Sequence, residues 1–226
     1  MMAPPWIVKV VCRSMYVNDN QYKGLEHSVA QLKILDPSLK KLFENVEVNP
    51  LKPEDNYFKA LVRSIIYQQL SGNVAKKIFN RFTAIYSEPS FPKPKVVLGT
   101  DIDTIRSSGL SNNKSHYIKN IAKAFVEDSE TYYNLSGMCD DDIIDALTKV
   151  KGIGIWTAQM FLMFTLNRSD IFPVTDLAMQ KGYKAYFKLA DLPKPKEMLS
   201  RSEIWRPYRT TVSLYLWAIL EGPFEW

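Results

Sequence analysis

The sequence predicts an all-α fold, and three observations carry that prediction. Apolar residues recur at helical spacing, as in Phe58, Leu61, Val62, Ile65 and Ile66, the pattern of a helix buried along one face. Only Trp6–Cys12 reads as a strand, so no β-sheet can be assembled. Prolines and capping residues bound segments of helical length, and neither an internal repeat nor a low-complexity tract interrupts them. At 226 residues with 46% hydrophobic content, the chain suits one compact unit or two small helical subdomains with a sizeable core.

The elements follow in order. Residues 1–20 read as a leader or short strand. Glu26 to Leu35 places Val29, Leu32 and Leu35 at three-residue spacing. Asp36-Pro37 starts another helix, with Asp as cap and Pro in the first turn, and Leu39, Leu42, Phe43 and Val46 form its stripe. Asn49–Asn56, with two prolines, is a connector. The helix Tyr57–Leu70 ends at the corner Gln68-Gln69-Leu70-Ser71-Gly72, and a second helix starts near Asn73. Glu88–Lys95 holds three prolines and reads as irregular. Asp101–Ser107 is a short helix. Gly109-Leu110-Ser111-Asn112-Asn113-Lys114 is a turn into the helix Ser115–Val126. Leu177–Phe187 is a helix with exposed lysines, Leu189–Lys196 a proline-broken linker, and Pro207–Leu220 the closing helix.

Between these lies the stretch that organises the chain, Leu147 to Asp176. A helix with acidic residues in its first turn, Asp140–Leu147, enters the glycine hairpin Lys151-Gly152-Ile153-Gly154. The two glycines allow a sharp turn and close approach of a partner without Cβ interference. Amides opening the next helix lack internal acceptors and carry the positive dipole end, which suits a phosphate. Lys149 and Lys151 add charge. From Trp156 to Leu166 no residue is charged, so burial is expected. A loop with Pro173 then leads to Asp176, which by itself reads as an N-cap of the helix after it.

Charge and composition exclude several classes. Net charge is +5, which permits nucleic-acid binding without requiring it. Its distribution says more. Tyr57–Ser87 carries five basic residues (Lys59, Arg63, Lys76, Lys77, Arg81) and no acid, Lys181–Arg209 carries eight against three, and Glu127–Asp145 carries seven acids and no base. A basic face and an acidic back follow. Two cysteines, Cys12 and Cys139, cannot form a four-cysteine metal or iron–sulfur site, and His27 and His116 show no ligand spacing. No apolar run reaches the length of a membrane span. Trp6–Val11 is too short, and broken by Lys9, for a signal peptide.

The longer string GIGIWTAQM, an apolar helix, then IFPVTDLAM resembles the helix-hairpin-helix DNA glycosylases, with their Gly/Pro loop and aspartate. Asp176 follows Gly154 by 22 residues (176 − 154), similar to the spacing in that superfamily. Ile65-Ile66-Tyr67-Gln68-Gln69-Leu70-Ser71, Gly109-Leu110-Ser111 with Lys114, and Trp205-Arg206-Pro207-Tyr208-Arg209 running to Tyr215-Leu216-Trp217 are similar to the 3-methyladenine DNA glycosylase II subfamily. The resemblance spans about residues 25–221. It implies two subdomains with the active site in the cleft between them. One combines 21–56 with 178–226. The other is 57–177, with the hairpin at 150–154.

The resemblance also implies roles. Asp176 would stabilise an oxocarbenium-like sugar and orient or deprotonate water as the base departs. A helix N-terminus favours an anionic side chain there. Trp156, Met160 and Trp217 would surround the extruded base, since an electron-rich ring attracts a cationic alkylpurine by about 0.5–2 kcal/mol. Lys151, Gly152, Ile153 and Gly154 would hold a DNA phosphate. Gln69 or its neighbour Leu70 would wedge into the gap left by the base, replacing stacking worth a few kcal/mol. Gln68, Ser71 and Lys114 would add DNA contacts. Trp156 stands where bifunctional relatives carry a lysine, and it cannot form a Schiff base. Arg209 is read as supporting the closing helix beneath the site.

The expected activity is therefore monofunctional excision of alkylated purines (3-methyladenine, 7-methylguanine type) from duplex DNA. A non-catalytic DNA-binding paralogue, or a glycosylase for deaminated or mismatched bases, would share most of these residues. No organic or redox cofactor is expected, although the hairpin carbonyls would suit a monovalent cation, Na+ or K+. The expected state is a monomer acting on damaged DNA, in a nucleus or a prokaryotic cytoplasm, without a membrane.

Overall fold

The computed structural model describes residues 24–87 and 90–221. The leader and the Trp6–Cys12 strand lie outside the described residues, as do two positions of the Glu88–Lys95 stretch. Among the described residues there is no strand. The described residues form two compact units: Glu54–Phe161 is one, and the segments 24–53 and 162–221 combine into the other.

The unit built from both ends opens with α1 (Leu25–Leu35). Asp36 ends α1 and accepts from Ser38 N–H, capping the 3₁₀ turn Pro37–Leu39, which leads into α2 (Lys40–Asn45). Leu32, Leu39 and Leu42 are buried, whereas Leu35 and its neighbour Ile34 are exposed. The predicted stripe on α1 is thus narrower than its spacing suggests.

The contiguous unit holds α3 (Tyr57–Tyr67), α4 (Gly72–Ala84), α5 (Pro94–Gly99), α6 (Ile102–Arg106), α7 (Asn112–Glu127), α8 (Ser129–Tyr133) and α9 (Asp140–Thr148). Asn56 caps α3 through Lys59 N–H, and Ser111 caps α7 through Lys114 N–H. The stripe Phe58, Leu61, Val62, Ile65 and Ile66 is buried, and α3 packs on α4 and α7. α10 (Ile155–Phe164) begins in this unit and ends in the other. Its apolar run is buried from Met160 to Phe164, but Ile155 and Trp156 at its start are exposed.

The remaining helices belong to the unit built from both ends: α11 (Leu177–Phe187), α12 (Pro195–Ser202) and, after the 3₁₀ turn Glu203–Trp205, α13 (Arg209–Glu221). α11 and α13 pack closely because Gly182 has no side chain: a Cβ there would lie 2.0 Å from the Leu216 carbonyl oxygen. Two stretches read as irregular contain helices. α5 begins inside Glu88–Lys95 and α12 inside Leu189–Lys196, each with a proline in its first turn. Proline opens these helices instead of breaking them, because the first-turn N–H it lacks would have no partner there.

Candidate functional site

The hairpin turns between α9 and α10. Ile153 N–H donates to Val150 O at 3.0 Å, and Ile153 is buried at 5% exposure, so its side chain anchors the turn. Lys151 and Gly154 are exposed. The two glycines serve different needs. Gly152 has φ +113°, and a Cβ on it would sit 2.3 Å from Tyr117 Cγ, so both backbone and packing demand glycine. A Cβ on Gly154 would meet nothing within 4 Å. The chain itself therefore gives no steric reason for that glycine. Trp156, one residue into α10, remains 36% exposed, and Met160 is buried at 1%. The base-facing methionine expected from sequence therefore presents no surface here, since α10 is buried from Met160 to Phe164.

The corner after α3 is the second feature of this unit. Gln69 adopts φ +57°, a left-handed conformation uncommon outside glycine. Gln69, Leu70 and Ser71 are exposed, with Leu70 at 38% and Val74, a turn later, at 46%. Leu70 is thus no core residue. Ser71 is the N-cap of α4 but makes no side-chain cap bond. Gln68 is half-buried and its amide donates to Thr157 Oγ1 at 3.3 Å. Lys114 does not face outward either. Its Nζ donates to the carbonyls of Ile66 at 2.9 Å and Gln68 at 2.6 Å, closing the end of α3. Burial pushes its ammonium below the ordinary lysine value.

In the other unit, Asp176 is the N-cap of α11. Its Oδ1 accepts Met179 N–H at 2.7 Å and Trp217 Nε1–H at 3.0 Å. Two donors on one oxygen hold the carboxylate in a fixed orientation. Asp176 is half-buried. Trp217, buried at 7%, stacks with Phe164 at 6.2 Å between ring centroids and 25° between planes. Its first role in the fold is thus to orient the acid.

The loop before Asp176 is tied down by residues of which sequence reasoning singled out only Arg209. Thr210 N–H donates to Ser169 O and Thr210 Oγ1 to Arg168 O, while Ile171 N–H donates back to Thr210 Oγ1 at 2.9 Å. Ser213 Oγ donates to Ile171 O, and Gln180 Nε2 to Val174 O at 2.8 Å. Asp170 accepts both Nε and Nη2 of Arg209 at 2.6 and 2.9 Å, and Nη1 of Arg206. Arg209 is buried at 8%, so it is a fork on a buried carboxylate and not a solvated charge. The signal available in the sequence was Asp170 itself, one acid ahead of an apolar run with two arginines flanking Pro207. Among the described residues no cluster of three His, Cys, Asp or Glu could hold a metal, and no helix is long and apolar enough to cross a membrane.

Comparison with known proteins places this geometry in context. Residues 62–207 match the family model described as HhH-GPD superfamily base excision DNA repair protein. The chain is 35% identical over 180 residues to DNA-3-methyladenine glycosylase 1 of Schizosaccharomyces pombe, spanning 79% of each chain. It is 30% identical over 203 residues to the alkylbase DNA glycosidase-like protein mag2 of the same yeast, spanning 89% of this chain and 95% of that one. The solved structure of the S. pombe 3-methyladenine DNA glycosylase Mag1 in complex with abasic DNA is similar with TM-score 0.75 and 32% identity, covering 88% of this chain and all of that one (100%).

Proposed function

The chain belongs to the HhH-GPD superfamily of base excision DNA repair proteins, and from that premise we propose that it is a glycosylase hydrolysing the N-glycosidic bond of alkylated purines in duplex DNA. The observation that carries the reading is Asp176, an acid at a helix N-terminus oriented by Met179 N–H and Trp217 Nε1–H. As the base leaves, positive charge develops at C1′ of the sugar. A pre-oriented carboxylate stabilises that charge without rearranging, and it orients or deprotonates the attacking water. A base alkylated at N3 or N7 is already cationic and leaves with little acid catalysis. This suits a site built on Asp176 with the Trp217 indole bonded to it.

The remaining roles follow. The exposed face of Trp156 receives the cationic base by cation–π attraction. The hairpin, with Gly154 uncovered and Lys151 exposed, takes a DNA phosphate on its backbone amides. Gln69 and Leu70, both exposed at the corner, fill the gap in the duplex. Trp156 has no amine to attack the sugar, so the product is an abasic site with an intact strand. The hairpin offers neutral backbone carbonyls, a donor type that suits Na+ or K+; those of Val150, Lys151 and Gly154 already accept Ile153 N–H, Asn120 Nδ2–H and Ala158 N–H, so Gly152 and Ile153 are the ones that would hold the ion. Such an ion would add positive charge facing the phosphate.

The test is single-turnover release of methylpurine from methylated duplex DNA by the wild type and by Asp176→Asn, a nearly isosteric change that removes the charge. Release by the wild type, a loss of roughly 10²–10⁴-fold in the variant and unchanged DNA affinity support the assignment. Equal release by both proteins would make Asp176 a cap alone. One rival is a paralogue on the same scaffold that binds DNA without excision. DNA binding by the wild type without release of alkylated or deaminated bases would establish it.

A further inference from the structure

One sequence motif is not absorbed by this reading: the Gly-Leu-Ser turn with Lys114 at its end. Lys114 opens α7, yet its ammonium points back to the carbonyls of Ile66 and Gln68 at 2.9 and 2.6 Å. Those carbonyls lie at the end of α3, where the helix has no internal donors left and its dipole is negative. No carboxylate pairs with Lys114 among the described residues. The next residue after Gln68 is Gln69, held at φ +57°, with Leu70 exposed beside it. Lys114 therefore closes the corner that carries both wedge side chains.

The same helix also holds the hairpin. Tyr117 packs against Gly152 so closely that no Cβ fits between them, and Asn120 Nδ2 donates to Lys151 O at 3.0 Å. A second strut runs from the corner to the hairpin helix, Gln68 Nε2 to Thr157 Oγ1 at 3.3 Å. Within one compact unit, α7 thus sets the separation between the wedge corner and the phosphate-holding turn. Base extrusion needs both at once: one grips the backbone while the other enters the stack. A corner free to relax would retreat from the stack instead of displacing the base.

We propose that Lys114 is a positioning residue for base extrusion, holding the Gln69–Leu70 corner at a fixed reach from the hairpin, and that it is not a phosphate contact. The proposal rests on the glycosylase reading above. Its discriminating property is substrate dependence, because extrusion costs least for an unpaired base.

The experiment compares wild type with Lys114→Met, which keeps the apolar stem and removes the ammonium. Single-turnover release is measured for a methylpurine paired in a duplex and for the same methylpurine opposite an abasic-site analogue. The expected result is a loss of at least tenfold on the paired substrate, less than threefold on the unpaired one, and an unchanged slope of log affinity against log salt. Equal losses on both substrates would mean that Lys114 only maintains the fold. A salt slope reduced by about one would mean a phosphate contact. Either result, or no loss at all, overturns the proposal. If the wild type releases no base from either substrate, the function reading fails by itself. The strut is then judged by fluorescence of 2-aminopurine placed beside the lesion: Lys114→Met must lose the unstacking signal at unchanged affinity, and a retained signal refutes it.

Discussion

At the scale of single residues, the two hairpin glycines separate structure from function. Gly152 is required by the chain, through φ +113° and the Tyr117 ring against its Cα. Gly154 is not, since a Cβ there meets nothing. Gly152→Ala is expected to cost about 3 kcal/mol or more, combining left-handed strain with overpacking. Gly154→Ala should change stability by no more than about 0.5 kcal/mol and yet weaken duplex binding about tenfold, a drop near 1.4 kcal/mol. Thermal melting and DNA titration of the pair check this. Parallel losses in both assays for both variants would remove the distinction. Asp176 shows the same duality in one side chain. It caps α11 and is the acid proposed for chemistry, and one geometry serves both because the helix start fixes the carboxylate.

At the scale of elements, α11 and α13 form the frame of the acid. α11 supplies Asp176 and α13 supplies Trp217, which hydrogen-bond at 3.0 Å. Their approach depends on Gly182, where a Cβ would meet the Leu216 carbonyl at 2.0 Å. Backbone cannot swing aside as a side chain can. Gly182→Ala should therefore separate the helices, costing about 2–3 kcal/mol and lowering Tm by roughly 5–10 °C. Excision per folded molecule should also fall, because the Trp217–Asp176 bond lengthens. A variant with full activity and an unshifted melt would show that the helices yield more easily than their contact suggests. The Asp170–Arg209 fork and the Thr210 bonds brace the same loop from behind.

At the scale of the molecule, the unit assembled from both chain ends depends on a polar pin. Asp36 Oδ2 accepts Trp205 Nε1–H at 2.9 Å and Arg201 Nη2 at 3.0 Å, and its Oδ1 accepts Ser38 Oγ–H. Burial pushes this carboxyl up. The bonds from Ser38 and Trp205 outweigh it, together with Arg201, and hold the group below the ordinary aspartate value. A depressed carboxyl contributes stability that is fully present above its unfolded value, about 3.9, and lost as pH falls through the folded value. Melting temperature should thus drop steeply below about pH 4, and Asp36→Asn should flatten that drop while lowering Tm at neutral pH. A variant with the wild-type acid profile would assign the loss to other carboxylates.

The sequence by itself determined most of the helices and named the candidate for the chemistry, Asp176. Periodicity located α3, α7 and α11, and the glycine spacing located the hairpin, because these signals are local: a stripe, a cap and a turn are written within a few consecutive residues. Prolines misled where they open α5 and α12, since the same residue starts one helix and ends another. Only the tertiary structure decided what depends on partners far along the chain. It assigned Lys114 to the carbonyls of Ile66 and Gln68, Trp217 to Asp176, Arg209 to Asp170, and Met160 to the covered interior. A lysine or an arginine carries the same charge whether it meets water, phosphate or a buried carbonyl. Which of these it meets is settled by packing between residues that the sequence separates.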